Sequence, residues 1–554
     1  MTIVNLGKIA FSWKNAYSPS VVYQRQDVVI YNGDSFVCLT DGTTGVTPTA
    51  NGANWQLFAQ GTQGISSSAG ELIYNNGTQL VALPPGTPGQ VLAISPTGLP
   101  SWVAADVRSG TKVKKLTNNA SKGRLGAIYR RMYAIMTDNS IRCWGLNDQN
   151  NLGDGTALAR PTPTRPAFPP SFPGAAEIYA DYAYSQYCID VNGKLWTWGA
   201  NAYGQLGTND TTARTIPFYA SGVTTSSIYG KTITSIALSG GNESYCSVLA
   251  LASDGTVHAC GYNGYGQLGV GDVTQRNQFV QVAIVTNAVQ IASGRERYTS
   301  MFAVTSDGKL YSWGYNADYN LGDNTVAQAN IPVQRTNGSL TGKTINKVFP
   351  GSNYGFALAT DGTLHGWGTN TTYGQLGDGT VATKTIPVQV ATNVVDLYNS
   401  TYDYPVVYIK KTDGTIWAAG AGNYGANGST TAVAQSTFVQ ITAVGNTCQK
   451  VVLGGTGSYN FVAFLMADGT AYTMGYNGNG QLALGDVAVR QGTPKQVPLS
   501  VRTIVDIAAY GSTSEGCLQF LLDDGQVATA GYGGQYMNGD YLSNLCYTPY
   551  PIVF

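Results

Sequence analysis

His258 and His365 are the only imidazoles in the chain, so any imidazole general base, metal ligand or nucleophile-activating group must come from them. Both stand three residues after an Asp-Gly pair, Asp254-Gly255 and Asp361-Gly362. At the same offset from other such pairs stand Trp196, Tyr311, Trp417 and Tyr472, so the slot takes aromatic rings and the histidines read as packing residues. Two imidazoles so placed supply neither a histidine-based triad nor a histidine-rich metal site. The recurring carboxylates Asp254, Asp307, Asp361, Asp413, Asp468 and Asp524 invite a catalytic or calcium-binding ring, but each occupies a turn that favours Asp for backbone reasons.

The GDGT runs at Asp154 and Asp378 lack the alternating ligands and distal Glu of a calcium loop. Glycine-rich runs such as NGYGQLGVGD open no helix and contain no Gly-Lys-Ser/Thr, so they do not read as phosphate cradles. The eight cysteines (38, 143, 188, 246, 260, 448, 517, 546) form no C-x-x-C pair and read as buried thiols; the closest two, Cys246 and Cys260, fall on neighbouring strands. No catalytic residue, metal ligand or cofactor is expected.

What positions these residues is a repeat, seen at its clearest in Lys194–Gly207, KLWTWGANAYGQLG. A turn dipeptide followed six residues later by glycine recurs from Asp138-Asn139 to Asp524-Gly525, and the paired glycines are Gly145, Gly199, Gly261, Gly314, Gly368, Gly420, Gly475 and Gly531. Trp144, Trp198, Trp313 and Trp367 precede four of them. A period of about 55 residues suits four short strands and their turns. Each unit reads as a strand ending in small residues, an apolar strand, an Asp-Gly turn expected to be type I′, a third strand ending in Gly, an N-x-x-G-Q-L-G loop and a Pro-containing edge strand. Trp198-Gly199-Ala200-Asn201 with Gly204-Gln205-Leu206-Gly207, and Trp367-Gly368 with Asn370 and Gly374–Gly377, resemble the regulator of chromosome condensation repeat family, whose members fold as β-propellers. Pro551–Phe554 reads as a last edge strand able to pair with the first blade and tie the ring.

Residues 1–60 lack the repeat. Trp13, Tyr17, Tyr23, Tyr31 and Trp55, with the Asn32-Gly33 hairpin signal, resemble small chitin-binding-type modules and the N-terminal modules of bacteriophage tail fibres. That resemblance makes these five aromatics the candidate ligand-binding residues. Residues 61–113, rich in Gly, Pro and Ser, include LIYNNGTQLVALPPGTPGQVLAISPTGLPSWV, which resembles a tail-fibre element and reads as extended. The expected fold is therefore all-β: a C-terminal propeller of eight, alternatively seven, four-stranded blades over 114–554, a small β-rich module over 1–60 and an extended Gly/Pro-rich neck over 61–113.

Lysine plus arginine number 31 and aspartate plus glutamate 31, with no basic run, which speaks against nucleic acid or an anionic membrane as partner. No window approaches the length of a membrane span, and no signal peptide is evident. Tyrosine, with 36 copies, is the compositional signal, and Tyr203, Tyr265, Tyr373 and Tyr424 share the place before a loop glycine. The N-terminal resemblance implies a non-enzymatic virion protein, assembled in the host cytoplasm and located in the tail. It would be a homotrimeric tail fibre or receptor-binding protein, joined to tail or baseplate proteins through its N-terminus and adhering to a host cell-surface glycan or protein receptor. The alternatives are a soluble protein-interaction propeller of exchange-factor or inhibitor type, or a polysaccharide depolymerase. Functional differences are expected where the units diverge, at 221–235, 396–405 and 512–516.

Overall fold

A computed structural model describes residues 12–32, 34–49, 52–59, 72–75, 80–83, 90–94, 100–104, 112–116, 131–180, 184–239, 245–294, 299–400, 404–455, 457–488, 491–499, 502–512, 515–532 and 546–552. The chain divides into two compact units, Met1–Gly110 and Thr111–Phe554. In the first, β1 (Ser12–Ala16) pairs in parallel with β2 (Asp27–Tyr31), and β2, β3 (Asp34–Cys38) and β4 (Trp55–Ala59) continue antiparallel. Tyr31 pairs with Asp34 across the expected Asn32-Gly33 turn, and Asn32 takes the left-handed φ of +53° such a turn requires. The neck is organised as two hairpins, β5 (Leu72–Asn75) with β6 (Leu80–Leu83) and β7 (Gln90–Ile94) with β8 (Pro100–Ala104).

Among the described residues the second unit contains eight four-stranded sheets, whose strands fall within 113–164, 175–219, 233–281, 288–335, 345–391, 394–440, 448–496 and 504–552. The seven-blade alternative is thereby set aside. Each blade is a meander in chain order, as in blade 3: Ile233–Ser239, Ser247–Ala252, Val257–Gly261 and Arg276–Gln281. The second strands are buried along their length because their residues face apolar layers on both sides (SVLALA, SMFAVT, FVAFLM). The fourth strands are half-exposed and carry Pro217, Pro332, Pro387 and Pro494, which blunt the outer edge against further pairing. The first strands of successive blades are the ones that approach one another, which puts them at the axis.

Two sequence-based expectations change. The Asp-Gly turns are not type I′, because only the second residue of each pair has positive φ: Gly255 +78°, Gly308 +78°, Gly362 +78°, Gly469 +78°, and Asn139 +63°. Gly255 N donates to Ala252 O and Ala252 N to Thr256 O, which describes a type I turn closed by a left-handed bulge residue. The Asp carboxylate instead accepts from the backbone two residues on, as Asp254 does from Thr256 N at 3.1 Å, and this explains Asp at the site. Nor does the last strand tie the ring by pairing with blade 1: Cys546–Ile552 stays in its own blade beside Val527–Gly531. The ring closes instead through a shared apolar core in which Tyr510, Leu521 and Val527 pack with Val113, Met132 and Trp144, and through Val113 N donating to Gly525 O at 3.1 Å. Val113 thus belongs to the first blade rather than to the neck.

Seams between blades share one construction. In five blades an asparagine two residues after the third-strand glycine (147, 201, 263, 316, 477) is buried; its Oδ1 accepts from the leucine amide five residues on, and its Nδ2 donates to carbonyls further along the loop. In blade 5, where the loop is one residue longer, Asn370 reaches Leu376 in the same way. The loop so held offers a carbonyl to the next blade: Trp198 Nε1 donates to Asn151 O at 2.8 Å, Trp313 to Gln267 O at 2.9 Å and Trp367 to Asn320 O at 2.7 Å. Cys260, in the tryptophan's place, points its thiol at Gln205 O at 3.4 Å. The last loop glycine lies against the same indole: a Cβ on Gly269 (φ +70°) would stand 2.7 Å from Trp313 Nε1. Outside this contact the loop reaches the next blade's fourth strand, Gly271 N donating to Asn330 O at 2.9 Å and Gly379 N to Ser436 O at 2.7 Å.

At the axis, the third residues of the eight first strands read Lys115, Glu177, Ser235, Gln290, Lys347, Asp396, Lys450 and Asp506. Six consecutive places from Lys347 round to Glu177 alternate in sign. Ion pairs bridge the seams at Lys347–Asp396 (3.1 Å), Lys450–Asp506 (2.5 Å) and Lys115–Glu177 (2.5 Å).

Two expectations follow from this construction. Gly269→Ala alone should destabilise by about 1–3 kcal/mol and Trp313→Ala by about 3–5 kcal/mol. In the double variant the added methyl should cost only the strain of a left-handed alanine, about 1 kcal/mol, a coupling that chemical denaturation of the four proteins would measure. At the axis, Lys450→Glu places three carboxylates side by side and should lower stability by about 1 kcal/mol or less, since the pair is half-exposed. Lys450→Ala and Asp506→Ala should be non-additive by a few tenths of a kcal/mol, and strictly additive losses in chemical denaturation of the single and double variants would contradict the pairing.

Candidate recognition face

The meander sorts the loops onto two faces. Turns between second and third strands, where the Asp-Gly pairs lie, share one face with the linkers between blades; first-to-second and third-to-fourth loops share the other. Of the divergent segments, Ser400, Tyr404 and Pro405 and the ends of 512–516 fall on this loop face, Asp396–Asn399 belong to a first strand, 401–403 and 513–514 lie outside the described residues, and 221–232 belongs to a linker on the turn face.

The turn face is occupied by structural chemistry. Lys231 at 2.5 Å, with the Thr256 hydroxyl, holds the Asp254 carboxyl well below the usual carboxylate range, and Lys343 at 2.7 Å with Thr363 does the same for Asp361. His258 is buried between Ser227 Oγ on Nδ1 (2.8 Å) and Thr256 Oγ1 on Nε2 (2.8 Å). Thr256 Oγ1 donates onward to Asp254, so Nε2 carries the imidazole proton and Nδ1 accepts from Ser227. His365 repeats the arrangement with Ser339 (2.7 Å), Thr363 (2.9 Å) and Asp361. These chains superficially list serine, histidine and aspartate, yet a threonine separates the imidazole from the carboxylate, and burial pushes each histidine down to about 4. A base that weak does not activate a serine near neutrality; the chain pins a linker to a turn. Trp417 fills the equivalent slot and donates to Thr415 Oγ1 at 2.8 Å, which fits the packing role read from the sequence.

The loop face carries tyrosines at its seams. Where blade 2 meets blade 3, Tyr203, Tyr245 and Tyr262 have ring centroids 4.7–5.3 Å apart. Where blade 6 meets blade 7, Tyr424, Tyr459 and Tyr476 lie 4.9–5.9 Å apart. Tyr265 and Tyr315 meet at 5.3 Å over the next seam, and Tyr373 and Tyr404 at 5.2 Å over the seam between blades 5 and 6. All ten rings are half-buried. The four tyrosines noted before a loop glycine therefore belong to larger clusters. Their partners occupy two further repeat positions, directly after the third-strand glycine and directly ahead of the second strand, which aligning the tyrosines unit by unit would have exposed.

In the N-terminal unit, Tyr23 and Trp55 are buried and form its core with Val29, Phe36 and Cys38. Trp55 Nε1 donates to Val46 O at 2.8 Å, and the two rings meet edge-on at 5.2 Å. Tyr17 and Tyr31 are half-buried against this core, 5.6 Å apart, and Trp13 lies on β1 with its side chain outside the described residues. The repeat residues Trp144, Trp198, Trp313 and Trp367 are buried, and Gly145, Gly199, Gly261, Gly314 and Gly368 have φ between +92° and +100°, a region other residues avoid. Among the described residues no three His, Cys, Asp or Glu side chains gather to hold a metal, and Cys246 and Cys260 are free thiols.

The description "Regulator of chromosome condensation (RCC1) repeat" fits residues 192–242, 254–297, 307–358, 361–400 and 468–514. These five segments match that repeat and together make up less than half of the chain. Similar proteins include the ultraviolet-B receptor UVR8 of Arabidopsis thaliana, 27% identical over 65% of this chain and 78% of its own length. The human E3 ubiquitin-protein ligase HERC2 is 28% identical over 43% of this chain, which spans only 5% of that protein. Among solved structures, human WBSCR16 aligns with a TM-score of 0.51 at 21% identity, covering 67% of this chain and 96% of its own. Prp20p of Saccharomyces cerevisiae, characterised for binding to Gsp1p and histones, gives 0.50 at 18%, covering 76% and 96%. These similarities establish the propeller fold, with RCC1 repeat matches in five segments, and lend no support to a tail-fibre origin.

Each RCC1 repeat runs from the turn of one blade into the first strand of the next, so the matched loops are those of blades 2–5 and 7. Blade 6 shows why it falls outside. Gly422 stands where the loop asparagine belongs, and a Cβ there would collide with Val433 O; Asn427 takes over by donating to Gly420 O (3.0 Å) and Val433 O (2.9 Å).

The buried histidines set an expectation for acid stability. A folded value of about 4 against about 6.5 unfolded means that the stability they contribute is complete above pH ~6.5 and is lost as pH falls toward 4. The melting temperature of the wild type should therefore decline through that window. His258→Gln/His365→Gln should flatten the decline while lowering the plateau, as circular dichroism melts across pH would record.

Proposed function

We propose that this chain is a non-catalytic recognition protein whose propeller meets a macromolecular partner through its loop face. The observation that carries the reading is the tyrosine clustering at the seams of that face, while the charged residues of the turn face and axis are consumed by internal pairs. RCC1-type relatives named as a receptor and as a binder of Gsp1p and histones support a protein-interaction role, which is the first reading. The finer reading is an adhesin mounted on a larger particle, with the propeller distal and the N-terminal unit at the attachment end, trimeric and located in a virion tail. It is supported by the tail-fibre resemblance of residues 1–60 and of the neck, and by the separation of Met1–Gly110 as a compact unit. A depolymerase is not favoured, because the perturbed carboxylates described on the loop side, Asp154, Asp210, Asp272 and Asp378, are each held by a cation of their own blade, Arg160, Arg214, Arg276 and Lys384.

The reading is tested by amide hydrogen exchange of the full chain with and without material that retains it. Protection is expected at 245–247, 262–268, 404–408 and 459–461; protection confined to the Asp-Gly turns or to residues 12–59 would refute the loop face as the recognition surface. Retention by intact bacterial cells and not by soluble protein extract is the outcome expected of an adhesin, and the reverse is expected of an interaction propeller.

A further inference from the structure

We infer that blade 1 carries a site for a phosphate monoester on its turn face, built from Arg142 and Arg165. The place these two residues occupy is defined in every blade: it is the third-strand slot that takes His258 or His365, together with the fourth-strand residue opposite it. In blades 2–7 an indole, phenol or imidazole ring fills the slot, and in blade 8 it is Ala528. The residue opposite is glutamine in five blades (281, 334, 389, 440 and 496) and Tyr219 in blade 2. Blade 1 departs at both positions. Cys143 pairs there with Thr164, which sets Arg142 opposite Arg165.

Like charges directly opposite on neighbouring strands, with Cβ atoms about 5 Å apart, work against folding. Neither guanidinium makes an ion pair or a hydrogen bond with the described residues, so both stand outside the internal pairs that take up charge elsewhere on this face. Burial, and after it Arg165, makes Arg142 harder to keep charged than an ordinary arginine, with Asp138 opposing them. Asp138 lies near the pair without contact. Its carboxyl accepts from Ser140 N at 2.8 Å and, against the effect of burial, is held below the usual carboxylate range by Ser140 and then by the two arginines. In blades 3 and 5 the equivalent aspartates touch a linker lysine instead, Lys231 or Lys343. Lys114, from the first strand of blade 1, donates to Asn139 Oδ1 of the same turn at 2.9 Å.

Three cations (Lys114, Arg142 and Arg165) thus surround one carboxylate (Asp138), a local charge of 3 − 1 = +2. Arg142 is half-buried and Arg165 exposed, so a ligand reaches the pair from solvent. A packing role would be met by a ring and a glutamine, as in the other blades. A phosphate monoester meets the charge: it carries about −1.5 to −2 near neutrality, and its oxygens suit the forked N–H groups of two guanidiniums. A carboxylate or a sulfate monoester carries a single charge and leaves part of the excess unneutralised. The site acts at contact, and it stands apart from the loop face.

The test is calorimetry on the full chain with O-phosphoserine, glucose 6-phosphate and glycerol 3-phosphate as probes and glucose 6-sulfate and acetate as controls. At least one phosphate monoester should bind saturably, one per chain and several-fold more tightly than either control; the tightest names the source as a modified side chain, a sugar phosphate or a lipid headgroup. Because the second ionisation of a phosphate monoester lies at about pH 6, binding should weaken between pH 7.5 and pH 5. Asp138, held low, and the Cys143 thiol, pushed up by burial, keep their charge states through that window. Arg142→Gln and Arg165→Gln should each weaken binding about tenfold or more through the lost charge-assisted hydrogen bonds. Arg165→Gln installs the residue that five other blades carry and removes the like-charge opposition, so it should melt at or above the wild-type temperature. Absence of binding by all three phosphates, equal binding of glucose 6-sulfate, undiminished binding in the folded double variant, or a melting temperature several degrees lower in Arg165→Gln would overturn the inference. None of these outcomes touches the loop-face reading, which stands or falls on its own exchange footprint.

Discussion

The propeller depends on a loop of backbone held rigid enough for the next blade to lean on. A bare loop of ten or more residues between two strands would carry unpaired amides and carbonyls and would be free to move. One buried asparagine removes both problems in most blades, because a primary amide can accept from one amide and donate to two or more carbonyls at once. With the loop fixed, a carbonyl stands where the next blade's indole N–H can reach it, and a glycine stands where the indole face needs room. At three seams blade-to-blade packing is therefore a fit between a hydrogen-bonded loop and one large ring, Trp198, Trp313 or Trp367, and smaller residues such as Cys260 take the ring's place elsewhere. It needs no strand exchange at the closure, since blade 8 meets blade 1 through side-by-side packing like any other pair.

This dependence explains why the repeat decays in pairs. The seventh loop ends in Ala483, a left-handed alanine at φ +60° where other loops have glycine. Its methyl fits because the facing blade has Ala530 in place of tryptophan, and the two alanines share one apolar core. The loss of the indole and the gain of the methyl are one change read on two strands. Blade 6 makes the complementary substitution within a single loop, giving up the asparagine at 422 and regaining it at 427. Departures that look like erosion in a linear alignment are compensations in the seam, and they leave the scaffold intact while its outer surface varies.

The fold was largely legible because the features that make a blade are local and periodic. Turn aspartates, third-strand glycines and the tryptophan-to-loop spacing all fall within one repeat, so counting them gave eight units and the order of strands inside each. What stayed hidden depends on neighbours some fifty residues away. The charge alternation at the axis puts Asp506 next to Lys115 only once the ring is closed. The tyrosine triads draw two rings from one blade and one from the blade before it, so their meeting shows only when neighbouring blades are packed. The turn type was misread for a different reason: Asp-Gly fits both a two-residue hairpin and a type I turn with a bulge, and the register that separates them is fixed by the strands on either side. In the N-terminal unit, spacing alone does not tell a core aromatic from a contact aromatic, and only the packing shows Tyr23 and Trp55 inside and Tyr17 and Tyr31 at the edge.

The distribution of charge bears on what such a protein can recognise. With so few ionisable residues, most of those described are already engaged: lysines and carboxylates alternate at the axis, Asp210 and Asp272 hold Arg214 and Arg276 inside their own loops at 2.6 Å, and Asp254 and Asp361 hold lysines from the linkers. Each pair is half-exposed and contributes little to stability, so their main physical effect is to leave the surface without a field. A surface of that kind cannot gather a partner from a distance by electrostatic steering, and association must rely on contact. Contact specificity then falls to shape and to hydrogen-bonding aromatic rings, which on this molecule are concentrated at the seams of one face. A repeat scaffold makes this economical: the seam that must exist to hold two blades together also places three loops beside one another, and whatever the loops carry becomes a cluster.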